Sequence, residues 1–176
     1  EVERNIIRCT LSNRWTLPVK LRHYIPPVNW VYNRLLAKEL AGLLKSFDKS
    51  ELVLVNFNYD AAELMESLPF CLRIYVCNDD FPNMMGNRLS GYIVEKQQGR
   101  VASLADFCLA VSYPLVEALK RYNPHTRLFL PGHEFKNIND LPKTVCNKGR
   151  IRIGFMGYID MRLEYGWLEA AAGQPD

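Results

Sequence analysis

RIRIGFMGYIDMRLEYGWLEAAAGQPD, residues Arg150 to Asp176, changes its period halfway along. Ile151 to Met156 is a short apolar run that follows the basic turn Lys148-Gly149-Arg150 and passes through Gly154 toward Gly157. From Met161 onward, Leu163, Gly166/Trp167 and Ala170/Ala171 recur at helical spacing, and Gly173-Gln174-Pro175 supplies the stop. A buried strand, a glycine turn and a helix make half of a βαβ unit. Glycine at such a turn lets backbone N–H groups approach a phosphate, and the helix N-terminus that follows carries partial positive charge. One strand and one helix do not bury their own apolar faces. The stretch therefore reads as the opening of a second domain that continues past Asp176.

Outward from that point, composition sets the limits. With 176 residues there is room for one ordinary domain and part of another. A content of 48% hydrophobic and 23% charged residues excludes a disordered chain. A net charge of +3, with no stretch that alternates basic and aromatic residues, argues against nucleic acid as a partner. No apolar run approaches the roughly 20 residues needed to span a bilayer. The N-terminus Glu1-Val2-Glu3-Arg4 has no signal-peptide core and no start methionine, so sequence is expected upstream of it. The cysteines at 9, 71, 77, 108 and 146 are odd in number, scattered and without a CxxC pair. They read as reduced core thiols of a cytoplasmic protein, with neither a disulfide frame nor a zinc site.

Taken in order, the chain alternates strand and helix. Asn5 to Leu11 reads as a short strand, and Arg14 to Pro27 as a basic, proline-interrupted loop. That loop is either simply solvated or touches an acceptor and anionic lipid through Arg14, Lys20, Arg22 and His23. Val28 to Phe47 reads as an amphipathic helix with Asn29 as its cap. Strands are expected at Glu51–Phe57, Arg73–Cys77, Asp106–Val111 and Arg127–Leu130, with helices at Asn58–Ser67, Ser90–Ser103 and Tyr113–Arg121 between them. Leu141 to Gly149 is polar and carries Pro142 and Gly149, the composition of a linker. The fold class expected is α/β, a Rossmann-like parallel sheet with helices on both faces. The expected division is a first domain over residues 1–141, a linker over 142–149 and the start of a second domain over 150–176.

In open parallel sheets, ligands bind beyond the carboxyl ends of the strands. That rule selects Asn58-Tyr59, Asn78-Asp79-Asp80, Ser112-Tyr113, Gly132-His133-Glu134 and Gly157-Tyr158-Ile159-Asp160. Asp79 and Asp80 point to opposite sides of an extended segment. One of them acts as a base or holds a hydroxyl while the other satisfies a turn, or both are turn residues. His133 is a surface histidine or a site residue. Ser112 caps the helix it precedes, and without a Gly-x-Ser-x-Gly elbow it is no hydrolase nucleophile. Arg162 after the glycine turn pairs with a phosphate, oriented by Asp160, or forms an exposed ion pair. The turn lacks both GxGxxG and the Walker lysine.

Three segments in this order and spacing resemble bacterial glycosyltransferases of the two-Rossmann-domain (GT-B) type. They are Ala105-Asp106-Phe107-Cys108-Leu109-Ala110-Val111-Ser112-Tyr113-Pro114-Leu115, Pro131-Gly132-His133-Glu134, and Ile153-Gly154-Phe155-Met156-Gly157-Tyr158-Ile159-Asp160-Met161-Arg162-Leu163. Gln174-Pro175-Asp176 closes the last of them. The branch most similar includes teichuronic-acid-type and other cell-surface polysaccharide transferases, and Tyr75-Val76-Cys77-Asn78-Asp79-Asp80 resembles its Y-D-x-x-D-D segment.

The resemblance covers roughly Val28 to Asp176. It implies transfer of a sugar from a nucleotide-diphosphate donor to a saccharide or lipid-linked acceptor, on the cytoplasmic side and peripherally at the inner face of the membrane. It requires no metal and no cofactor beyond the donor substrate. It further implies that Asp79, Asp80, Ser112 and His133 face the acceptor and part of the donor sugar. Gly157 and Arg162 would approach the diphosphate. His133-Glu134 replaces the family's Val-Asp, and Glu164 stands where an aspartate is common. The family's first strand and its donor-gripping carboxylate are not in the chain, so the chain alone is expected to be inactive. The alternative class is a flavodoxin-like binding module that docks a partner or a membrane surface.

Overall fold

A computed structural model describes residues 25–130, 132 and 164–173. The chain divides into two compact units, residues 1–132 and 133–176. The expected strands at 5–11 and 151–156, the basic loop up to 24 and the linker at 142–149 lie outside the described residues.

The first unit is built from α1 (Pro26–Leu43), β1 (Val53–Asn56), α2 (Ala62–Ser67), β2 (Leu72–Cys77), α3 (Arg88–Leu104), β3 (Phe107–Ala110), α4 (Tyr113–Lys120) and β4 (Thr126–Leu128). In the second unit the described helix is α5 (Tyr165–Ala172), capped at Gly173 where the sequence places its stop. The four strands are parallel in the order β1-β2-β3-β4, with Val55 beside Ile74, Tyr75 beside Cys108 and Ala110 beside Leu128.

Register and burial together show which face of the sheet is packed. Leu54, Tyr75, Cys77, Cys108, Ala110 and Leu128 share one face and meet Ala62 and Met65 of α2, Val101 and Ala102 of α3, and Val116 and Leu119 of α4. Fully burying side chains such as Met65, Val101 and Leu119 contributes about 1.5–3 kcal/mol each. A second cluster joins α1 to the layer through Ala37, packed with Leu68 and Phe70. On the opposite face Val53, Val55 and Phe107 are exposed. Val76 on that face is buried, and the described helices that meet the cluster lie on the other face. The cause is topological. Strands that add in sequence order through crossovers of one hand place every connecting helix on the same side, and only a reversal of strand order moves helices to the other.

Helix α1 begins two residues before the expected start, because Pro26 and Pro27 occupy its first positions, where a missing N–H costs nothing. Asn29 is therefore not the cap. It sits inside the helix, buried, and with Asn33 it donates its side-chain amide to the Asp60 carbonyl, at 2.8 and 2.6 Å. The two asparagines pin the turn between β1 and α2 to α1. At the other end of the layer Asn123 donates to the carbonyls of Ala102 and Ala105 at 2.9 and 2.6 Å, closing the C-terminus of α3. Its Oδ1 accepts from the His125 N–H at 2.8 Å, which sets the entry into β4.

Candidate functional site

The carboxyl ends of β2 and β3 leave the sheet at one level. Cys77 is paired with Ala110, the Val111 N–H donates to the Cys77 carbonyl at 3.2 Å, and beyond this pair run Asn78-Asp79-Asp80 and Ser112-Tyr113. Neighbouring strands stand about 4.8 Å apart, so the backbones that carry Asp79 and Ser112 diverge from adjacent points. Cys77 is held there from below. Its thiol donates to the Asp79 carbonyl at 3.4 Å, and its sulfur accepts from Gln98 Nε2 at 3.2 Å. The same Gln98 amide donates to the Tyr75 hydroxyl at 3.1 Å. Burial raises the pKa of Tyr75 and Cys77 and pushes Cys108 up to about 11. These are neutral groups of the layer beneath the site.

The two aspartates divide the roles that the sequence left open. Asp80 is a turn residue: Asn83 donates to it through Nδ2 at 2.8 Å and through its backbone N–H at 3.4 Å, and the Met84 N–H donates to its carbonyl at 3.0 Å. Asp79 is exposed, and its carboxylate makes no hydrogen bond or ion pair with the described residues. Ser112 occupies the N-cap position of α4, yet its hydroxyl makes no cap hydrogen bond. Pro114 in the first turn removes one of the N–H groups that a cap would serve. The hydroxyl is half-buried beside the β2 end. Gly132 is exposed, and a Cβ there would meet nothing within 4 Å, so packing does not require glycine at that position. His133, Glu134, Gly157, Asp160 and Arg162 lie outside the described residues.

A cavity of about 340 Å³ opens at the β1 end, lined by Asn58, Tyr59 and Phe81 together with Tyr32 of α1. Tyr59 and Phe81 stand with ring centroids 4.8 Å apart and join the β1 and β2 loops. A second cavity of about 350 Å³, between α3 and α4, reaches Asp80 and Asn83 and contains Glu95, Arg121 and Tyr122. A third, of about 410 Å³, lies among α1, α2 and α3. Its lining includes Glu63, Gln97 and Arg100, residues that the sequence reading passed over, and Asn29, which it took only for a helix cap. A signal was there: asparagines four apart, at 29 and 33, interrupt an otherwise apolar helical stripe.

Fold and crossovers make this an α/β protein with a four-stranded parallel sheet flanked by helices, a Rossmann-like arrangement. No family model matches the chain, and neither does a curated protein or a solved structure. Among the described residues no helix is long and apolar enough to cross a membrane.

Proposed function

We propose that this chain carries the acceptor-side lobe, and the opening of the nucleotide-gripping lobe, of a GT-B-type glycosyltransferase. The enzyme moves a sugar from a nucleotide diphosphate to a saccharide or lipid-linked acceptor of a cell-surface polysaccharide. The observation that carries this reading is the pairing at the sheet's carboxyl edge: an uncommitted Asp79 carboxylate on one strand end and an uncapped Ser112 hydroxyl on the next. A sugar acceptor needs a base for its attacking hydroxyl and a polar contact to orient the ring. Asp79 takes the first part and Ser112 the second, while Asp80 shapes the loop. By the resemblance, His133 serves the acceptor, and Gly157 with Arg162 the donor diphosphate. Transfer without a bound metal relies on helix N-terminal charge and a guanidinium at the leaving diphosphate.

Calorimetric titration of the full-length protein with UDP-, GDP- and dTDP-sugars tests this reading. Saturable heat from one donor, with release of free nucleoside diphosphate in the presence of acceptor, is the expected result. Silence across the panel supports instead a non-catalytic flavodoxin-like module. The exposed Val53, Val55 and Phe107 favour that alternative.

A further inference from the structure

Position 98 interrupts the apolar stripe that α3 lays on the sheet. Val94, Val101 and Ala102 are fully buried there, and between them stands a glutamine that is only 7% exposed. A buried amide is costly unless its hydrogen bonds are made, and methionine would fill the same space without that demand. Gln98 Nε2 donates to the Tyr75 hydroxyl at 3.1 Å and to Cys77 Sγ at 3.2 Å, both on the packed face of β2 and both fully buried.

The path of contacts continues out of the core. The Cys77 thiol donates in turn to the Asp79 carbonyl at 3.4 Å. Burial raises the pKa of that thiol above its ordinary 9.0, so at neutral pH it keeps the hydrogen it donates. The Asp79 carboxylate has no partner among the described residues, so its backbone alone sets its direction. That backbone is held at two points. Asn83 fixes the next residue, Asp80, and Cys77 fixes the Asp79 carbonyl. The direction of the thiol is set by Gln98.

We propose that Gln98 is a positioning residue: through Cys77 it fixes the Asp79 peptide and so aims the Asp79 carboxylate at the acceptor hydroxyl. This rests on the reading of Asp79 as the base of sugar transfer. Misplacing a reacting group by about 1 Å costs on the order of 10²-fold in rate. A thiol is a weak donor, so only part of that range is expected.

Gln98→Met and Cys77→Ala in the full-length protein test it, with steady-state transfer kinetics as the first readout. Each should lower kcat by about three- to tenfold and leave the donor KM unchanged. Because both act through one path, the losses should not multiply, and the double variant should be about as slow as the slower single. Val101→Ala hollows the same helix–sheet contact without touching the path. It should leave kcat unchanged, which separates positioning from lost packing.

The second readout needs no turnover. Asp79-Asp80 is the only pair of adjacent aspartates in the 176 residues. Aspartate labelled with ¹³C at the carbonyl and with ¹⁵N therefore gives a cross-peak that reports the Asp79 carbonyl, assigned by its loss in Asp80→Asn. The carbonyl resonance should move upfield in both single variants, as a carbonyl that loses a hydrogen bond does, and stay in place in Val101→Ala. An unmoved carbonyl in Gln98→Met, multiplied losses in the double variant or an equal loss in Val101→Ala would overturn the proposal. If the parent transfers no sugar and the carbonyl still moves, the transferase reading fails and the hold of Gln98 on Asp79 stands.

Discussion

Asn83 Nδ2 donates to Asp80 Oδ2 at 2.8 Å, which commits the second of two adjacent aspartates to the turn between β2 and α3. Its neighbour Asp79 has no such commitment. The two carboxylates are expected to respond in opposite ways. Asp79→Ala removes the proposed base, so sugar transfer should fall by roughly 10²–10⁴ while stability stays within about 0.5 kcal/mol. Asp80→Ala removes the turn's acceptor and should lower stability by about 1 kcal/mol with a smaller effect on turnover. Steady-state transfer assays and urea melts on both variants check this. Full turnover in Asp79→Ala would remove the carboxylate from the chemistry.

Ser112 leads to a second contrast. Replacing a serine N-cap by alanine ordinarily costs about 0.5–2 kcal/mol, because a backbone N–H loses its acceptor. At α4 that hydrogen bond is absent, so Ser112→Ala should leave the denaturation midpoint within about 0.5 kcal/mol of the parent. If the hydroxyl instead orients an acceptor sugar, the same change raises the acceptor KM. A large drop in stability would mean that the hydroxyl does cap the helix in solution.

Elements with one strong period and a plain terminator could be read from the sequence. The alternation of apolar runs and helical stripes gave four strands, and Gly173 gave the end of α5. What could not be read was any property that depends on which strand lies beside which. The packed face of the sheet follows from strand order, which the alternation does not encode. At the site, the residue types at strand ends were legible, since the carboxyl-edge rule needs only the ends of runs. The division of labour between Asp79 and Asp80 was not, because it turns on the rotamer of Asn83. The buried roles of Asn29, Gln98 and Asn123 were hidden for the same reason. Each is an amide whose partners come from distant parts of the chain, at sequence separations of 31, 23 and 21.

Gly99 in α3 faces the ring of Tyr122 so closely that a Cβ there would stand 2.5 Å from a ring carbon. Glycine to alanine inside a helix is usually stabilising, by roughly 0.5–1 kcal/mol. Here the sign should reverse, since the ring has to move out of the space between α3 and the α4–β4 turn. Gly99→Ala is expected to cost about 1–3 kcal/mol, the usual range for overpacking. Gly42, near the end of α1 with nothing within 4 Å, is the control, and alanine there should be neutral or stabilising. Adding Tyr122→Ala to Gly99→Ala should recover part of the loss, and a double-mutant cycle of chemical melts measures the coupling. Additive losses would place the ring elsewhere.

The thiols beneath the site give a pH prediction whose sign is fixed by burial. Cys108 is fully buried, and burial pushes its pKa from 9.0 to about 11, with Cys77 raised for the same reason. The folded value lies above the unfolded one. From about pH 9 upward the unfolded chain releases protons that the native core still holds, so stability is full below pH 9 and falls as pH approaches 11. Urea midpoints measured from pH 7 to 11 should be flat and then decline, and Cys108→Val should remove part of the decline. Alkylation gives an independent readout. At pH 8 in native buffer, iodoacetamide should modify the exposed Cys71 and spare Cys77 and Cys108 until denaturant is added, and cleavage after Arg73 separates the first two for peptide mapping. Equal labelling of Cys71 and Cys108 in native buffer would contradict the buried position of β3 on which the Asp79–Ser112 edge depends.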